Sequence, residues 1–162
     1  MQTREAAELF SLKPYQVKYL IRNGAVMASS EMQNGKAYEF DYGALVRLGL
    51  AAQLLKDKYR LDAIRQALIQ LDANWLSGDL WDAGYIIALE NGLFLWTKAR
   101  PEYYLVDGET KTLITGAYWP RVYYSVEAIA AQVESELQKG KPVVTVNIKR
   151  GRKAERRSEN GA

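Results

Sequence analysis

The hydrophobic pattern changes period once, near residue 80, and that switch limits what the chain can fold into. Up to Trp75 the apolar residues recur at spacings of three and four, as on helices with one buried side. From Leu80 the sequence turns aromatic and β-branched, in short runs punctuated by Asn91-Gly92 and Asp107-Gly108, dipeptides suited to tight hairpins. The expected fold class is α+β, with helices first and a small, mainly antiparallel sheet after them. At 162 residues the chain has length for one domain with a sizeable core, or for two small ones sharing an interface. Ser77-Gly78-Asp79 marks the expected boundary, giving domains at 1–76 and 77–148 and a basic tail at 149–162.

Within the first part, Thr3 is the expected cap of a short helix over residues 4–10, with Ala6, Leu9 and Phe10 on its apolar side. Pro14 is placed to open a second helix ending near Asn23, with Val17, Leu20 and Ile21 inward and Gly24 as its stop. Only Ser11-Leu12-Lys13 joins the two, the spacing of a helix-turn-helix. Residues 25–40 lose helical periodicity. Ala25-Val-Met27 and Ala37-Tyr-Glu-Phe40 read as short strands around a polar loop whose Asn34-Gly35 turn is followed by Lys36, the form of a wing with a basic tip. Asp41 then caps a helix over 42–56 with Leu45, Leu48, Ala52 and Leu55 inward, and a break at 58–60 precedes a helix over 61–74 built on Ile64, Leu68 and Leu71.

In the second part, strands are expected at 81–89, 92–97, 102–106, 110–115 and 120–124. Ser125 caps one covering helix to about Lys139, and residues 142–149 alternate as a last strand would. The aromatic load here, Trp81, Trp96, Tyr85, Tyr123 and Tyr124 among it, exceeds what a small core needs; the surplus suits a dimer interface or, less directly, an apolar ligand pocket.

Composition narrows the chemistry. With Cys 0 and His 0, the chain has no disulfide, no thiolate or imidazole metal site, and no cysteine or histidine catalysis. Glu90, Glu102, Asp107 and Glu109 are scattered over turns and strand ends without a constellation, and no nucleotide loop or nucleophile elbow is present. No catalytic residue, metal ligand or cofactor is therefore expected. No apolar run reaches membrane-spanning length and the first residues open no signal peptide, so a cytoplasmic, nucleoid-associated protein without membrane contact is expected. The net charge of +3 is unevenly spread: residues 1–75 hold ten Lys or Arg against eight Asp or Glu, residues 76–148 six against nine, and residues 149–162 six against two. The balance of +2 over the first 75 residues is a weak footprint for nucleic acid and counts only if the cations cluster on one face. The tail, nearly free of apolar residues after Ile148, is expected to be disordered, either as a solubilising terminus or as an arm adding phosphate contacts.

Four elements of the first part resemble the DNA-binding domain of the MerR family. The run Val17-Lys18-Tyr19-Leu20-Ile21-Arg22-Asn23-Gly24-Ala25 is similar to the family's recognition helix. Ala37-Tyr38-Glu39-Phe40 and Leu45-Val46-Arg47-Leu48 correspond to its wing closure and the helix after it, and Lys58-Tyr59-Arg60-Leu61-Asp62-Ala63-Ile64 to its later aromatic-led element. The likeness covers residues 4–72. It departs where the wing's family arginine falls on Tyr38, and in lacking the long dimerisation helix and the effector-sensing cysteines. The excisionases resemble the same winged fold.

That resemblance implies a winged helix-turn-helix with an added helix pair, binding double-stranded DNA. Lys13, Tyr15 and Gln16 would enter the major groove first, with Gln16 the candidate base reader. Lys18, Tyr19 and Arg22 would hold phosphates, Lys36 would approach the minor groove, and Arg4 and Arg47 would flank. The bland alternatives are a solvated helix face for Gln16, Lys18 and Arg22, core roles for Tyr15 and Tyr19, and an ion pair with Asp41 or a neighbour for Arg47. With so few cations per module, two copies on half-sites about 34–36 Å apart are expected. The implied function is a dimeric, sequence-specific transcription regulator working with the transcription machinery. A DNA-bending accessory factor that contacts a recombinase and a protein-interaction adaptor are the alternatives.

Overall fold

A computed structural model describes residues 1–31, 37–89, 92–98 and 120–139. Among the described residues the protein is mixed α+β, with five helices and a three-stranded antiparallel sheet. The expected strands at 102–106, 110–115 and 142–149, the turn at Asp107-Gly108, Asn34-Gly35, Asn91, Lys36 and the tail lie outside the described residues.

Helix α1 (Thr3–Leu9) starts one residue earlier than its sequence suggests. Thr3 is not the cap. It lies inside the helix, 5% exposed, and its hydroxyl accepts the Tyr38 amide at 2.8 Å. Gln2 takes the cap position instead, its amide donating to Glu5 Oε2 at 2.9 Å. A hydroxyl with a backbone partner brought by the tertiary fold is drawn inward, and a carboxylate one turn on satisfies the helix end.

Helix α2 (Pro14–Arg22) begins on proline, whose fixed φ and missing N–H suit the first helical position. Val17 and Leu20 are fully buried. Gly24 ends the helix at φ +67°, where the Ala25 amide reaches back to the Leu20 carbonyl at 2.9 Å. The following strands are short: β1 (Ser30–Glu31) and β2 (Tyr38–Glu39) pair antiparallel, Ser30 opposite Glu39. The chain start braces this hairpin, with Gln2 bridged to Glu39 and the Phe40 amide bonded to the Met1 carbonyl at 2.8 Å.

Helix α3 (Tyr42–Lys56) is the axis of the molecule. Asp41 caps it through Ala44 N at 2.8 Å, and Leu45, Leu48, Leu50 and Leu54 are fully buried around most of its circumference, while Leu55 is only partly so. Helix α4 (Leu61–Asn74) packs beside it through Ile64, Ala67, Leu68 and Leu71.

After a 3₁₀ turn at Leu80–Asp82 come β3 (Tyr85–Leu89), β4 (Phe94–Thr97) and β5 (Pro120–Ser125), in the order β4-β3-β5. The first strand is shorter than its apolar run, because Gly84 at φ +65° interrupts extended backbone and leaves Trp81 78% exposed. Gly92 at φ +84° likewise delays β4 to Phe94. Ser125 caps α5 (Val126–Gln138) through Ala128 N at 3.1 Å, as its position suggests.

Helix α5 lies on α3. A Cβ on Gly49 would stand 2.5 Å from Ile129 Cγ2 and 2.7 Å from Phe10 Cε1, so this glycine permits the close approach of α5 and the end of α1. Buried side chains form one continuous cluster from Ala6 to Val133, running across residues 77–79. Trp75, Tyr85, Phe94 and Tyr124 take part of the aromatic load into the interior. Among the described residues no helix is long and apolar enough to cross a membrane.

Candidate nucleic-acid interface

Burial of Val17 and Leu20 fixes the rotation of α2, and that rotation decides what its other side presents. Positions 15, 18, 19 and 22 fall on the outward stripe. Tyr15 is 65% and Tyr19 48% exposed, Arg22 is exposed, and Lys18 is partly so. Neither tyrosine is a core residue. No carboxylate occurs between Glu8 and Glu31, so the stripe's charges, Lys18 and Arg22, are uniformly positive, with Lys13 at its entry end. Lys13 Nζ stands 5.9 Å from the centre of the Tyr15 ring, a cation–π distance that keeps the two side chains together.

Gln16 sits at the same end and does structural work. Its Oε1 accepts the Lys13 amide at 2.8 Å, satisfying one of the unpaired donors at the helix start. At the other end, Asn23 Nδ2 donates to the Tyr19 carbonyl at 2.8 Å, and the Arg65 guanidinium donates to the Asn23 carbonyl while its other arm holds Asp62 at 2.8 Å. Arg65 thus ties the C-terminus of α2 to α4. No sequence signal announces this, since the partners are 42 positions apart.

The remaining expected residues divide. Arg4 pairs with Glu8 one turn along α1 at 3.1 Å, with both side chains largely exposed; such a pair contributes a few tenths of a kcal/mol and yields readily to a stronger anion. Arg47 is differently placed. Its Nε donates to Asp72 at 2.6 Å, Nη1 donates to the Gly43 carbonyl at 3.0 Å, and the guanidinium lies 5.6 Å from the Trp75 ring centre. It braces α3 against α4 with Asp72 as its carboxylate partner and does not join the α2 stripe. Lys36 lies outside the described residues.

Compared with models of known protein families and with the sequences of characterised proteins, the chain matches none.

Two grooves are lined by other elements. A groove of about 490 Å³ runs between residues 24–29 and the α3–α4 pair, lined by exposed Met27 and Ile69 and by the ion-paired Arg47 and Arg65. A second groove, of about 590 Å³, lies between α1 and α5 and carries Glu5, Glu8 and Glu136. Among the described residues no cluster of three or more carboxylates is arranged to hold a metal ion.

Proposed function

We propose that the chain is a sequence-specific double-stranded DNA-binding transcription regulator that acts as a dimer, using α1, α2 and the β1–β2 hairpin as a winged helix-turn-helix of the MerR kind. The carrying observation is the outward stripe of α2, where Tyr15, Lys18, Tyr19 and Arg22 stand exposed or partly so on a helix whose sequence neighbourhood holds no carboxylate. A nine-residue helix of about 14 Å fits the first turns of its length into a major groove. Lys18 and Arg22 lie one to two turns from the entry end, at the height of the groove walls, and serve as phosphate contacts. The hairpin is held at its base by Thr3 and Gln2, which supports its role as a wing beside α2.

The test is a salt titration of duplex binding by the full chain. Each phosphate contact contributes about 0.9 to the slope of log affinity against log salt. Replacing Lys18 and Arg22 together by Ala should lower that slope by nearly 2 and weaken specific and random duplexes alike. An unchanged slope removes these side chains from the interface. Sedimentation of the protein with a duplex carrying two half-sites reads the stoichiometry, and a ratio of one chain per duplex would refute the dimer.

The adaptor reading has one observation in its favour, exposed Met27 and Ile69 facing a shared groove. It becomes the better account if duplex affinity at low salt is the same for the wild type and the Lys18–Arg22 variant.

A further inference from the structure

We infer that Gln16 reads a guanine, and that the helix start itself imposes the choice; this rests on the duplex-binding reading above. A glutamine amide ordinarily faces a base with both its ends. Against adenine it donates from Nε2 to N7 and accepts the N6 amino group on Oε1, a pairing that needs the two atoms side by side at the base edge. In this protein the carbonyl end is engaged elsewhere. Oε1 is turned back onto the Lys13 amide at 2.8 Å, and because that partner is a donor, the assignment of oxygen and nitrogen within the side-chain amide is fixed. The outward end is Nε2, with two N–H groups and no acceptor among the described residues.

The side chain one turn before it shares this polarity. Lys13, three positions before Gln16, carries an ammonium group that donates and cannot accept. The tip of α2 is thus rich in donors and poor in acceptors. Of the four major-groove edges, guanine alone offers two acceptors, O6 and N7, and no donor. Adenine offers one of each, thymine one acceptor beside a methyl group, and cytosine only its N4 donor. Guanine is the edge that can take two donors from this tip; thymine takes one and sets its methyl group beside the other, adenine leaves its N6 donor unpaired, and cytosine is the edge the tip excludes. Reading adenine would require Oε1 to release the Lys13 amide and reopen the first turn of α2.

The experiment selects duplexes from a random library with the full chain, in wild-type and Gln16→Glu forms, and then measures affinities for single-base variants of the enriched site. Glutamate keeps an oxygen acceptor for the Lys13 amide, so helix and fold are retained, as an unchanged thermal midpoint and circular dichroism spectrum will confirm. It removes both outward donors and substitutes an acceptor. The wild type should enrich a guanine at one position and lose about tenfold or more in affinity when that base alone is changed. In the Glu variant that one position should lose guanine or turn to cytosine, while every other position keeps its preference. If the position that responds to Gln16→Glu is any base other than guanine in the wild-type site, or if no position responds, the inference is overturned and the duplex-binding reading stands. If the wild type enriches no site at all, both fall together. Gln16→Ala serves as the control for the structural role: it removes the bond to Lys13 as well as the outward donors, so it should lower the thermal midpoint and also abolish the guanine preference at that position, whereas an unchanged midpoint would show that the bond to Lys13 is dispensable and would overturn the argument from the helix start.

Discussion

Gly24 holds φ +67°, and a Cβ built on it would meet nothing within 4 Å. Its requirement is therefore one of backbone conformation, set by the left-handed turn that ends α2. Replacing Gly24 by Ala should lower stability by about 1–2 kcal/mol in urea unfolding, and replacing it by Asn should cost less, because Asn tolerates the left-handed region. Equal losses from both would point to a side-chain clash and contradict this account. Two other residues show how a tertiary partner alters a local rule. Thr3 has the chemistry of a cap, but the Tyr38 amide claims its hydroxyl. Arg47 has the chemistry of a phosphate contact, but Asp72, the Gly43 carbonyl and the face of Trp75 surround its guanidinium. The partners that override the local rule, Tyr38 for Thr3 and Asp72 and Trp75 for Arg47, are 25 or more positions away, so the side chain's own neighbourhood in the sequence cannot disclose them.

At the scale of elements, α3 and α5 determine the arrangement, and β5 is locked to the end of α3. The Tyr124 hydroxyl donates to Asp57 Oδ2 at 2.5 Å, and Tyr59 packs edge-on against both Tyr124 and Phe94. Burial of Tyr124, followed by its bond to the Asp57 carboxylate, raises the phenol above the ordinary tyrosine range. Tyr124→Phe should lower stability at neutral pH by about 1.5–3 kcal/mol, the usual contribution of a hydrogen bond to a charged group. The sign of the pH dependence follows from the raised folded value. The contribution is fully present below the unfolded tyrosine value of about 10 and is lost as pH rises through the higher folded one. The gap in urea midpoint between wild type and Tyr124→Phe should accordingly be constant from pH 6 to about 9 and shrink in stronger alkali. A gap that stays constant through that alkaline range would show that the phenol's proton is not linked to folding.

For the molecule as a whole, the decisive feature is a core that runs without interruption from Ala6 to Val133. Gln132 on α5 reaches the Leu9 carbonyl at 3.2 Å, and Lys56 Nζ donates to the Phe10 carbonyl at 2.7 Å, so the end of α1 is held from two sides. Loss of any one layer exposes apolar surface on the next. Unfolding followed by tryptophan fluorescence, which samples Trp75, Trp81, Trp96 and Trp119, should coincide with unfolding followed by far-ultraviolet circular dichroism, which weights the helices. Two separated midpoints would mean that the helical and sheet-bearing halves unfold independently. Val17 and Leu20 set the inner side of α2 in this core, and the stripe of Tyr15 and Tyr19 faces away from it.

The sequence by itself determined the local elements. Pro14, Gly24, Asp41 and Ser125 mark helix ends through bonds made within a few residues, and α2, α3, α4 and α5 lie where their apolar spacing puts them. It also determined which side of α2 faces outward, because Val17 and Leu20 leave no other rotation that buries both. Only the tertiary structure decided which of the basic residues remain available. Arg47 and Arg65 are bound to groups on other elements, and Gly49 admits α5 to the centre of the fold. The physical reason is one of range. Capping and periodicity act over the span of a helical turn or two, whereas the satisfaction of a guanidinium or the closeness of two helices depends on groups that become neighbours only when the chain has collapsed around α3.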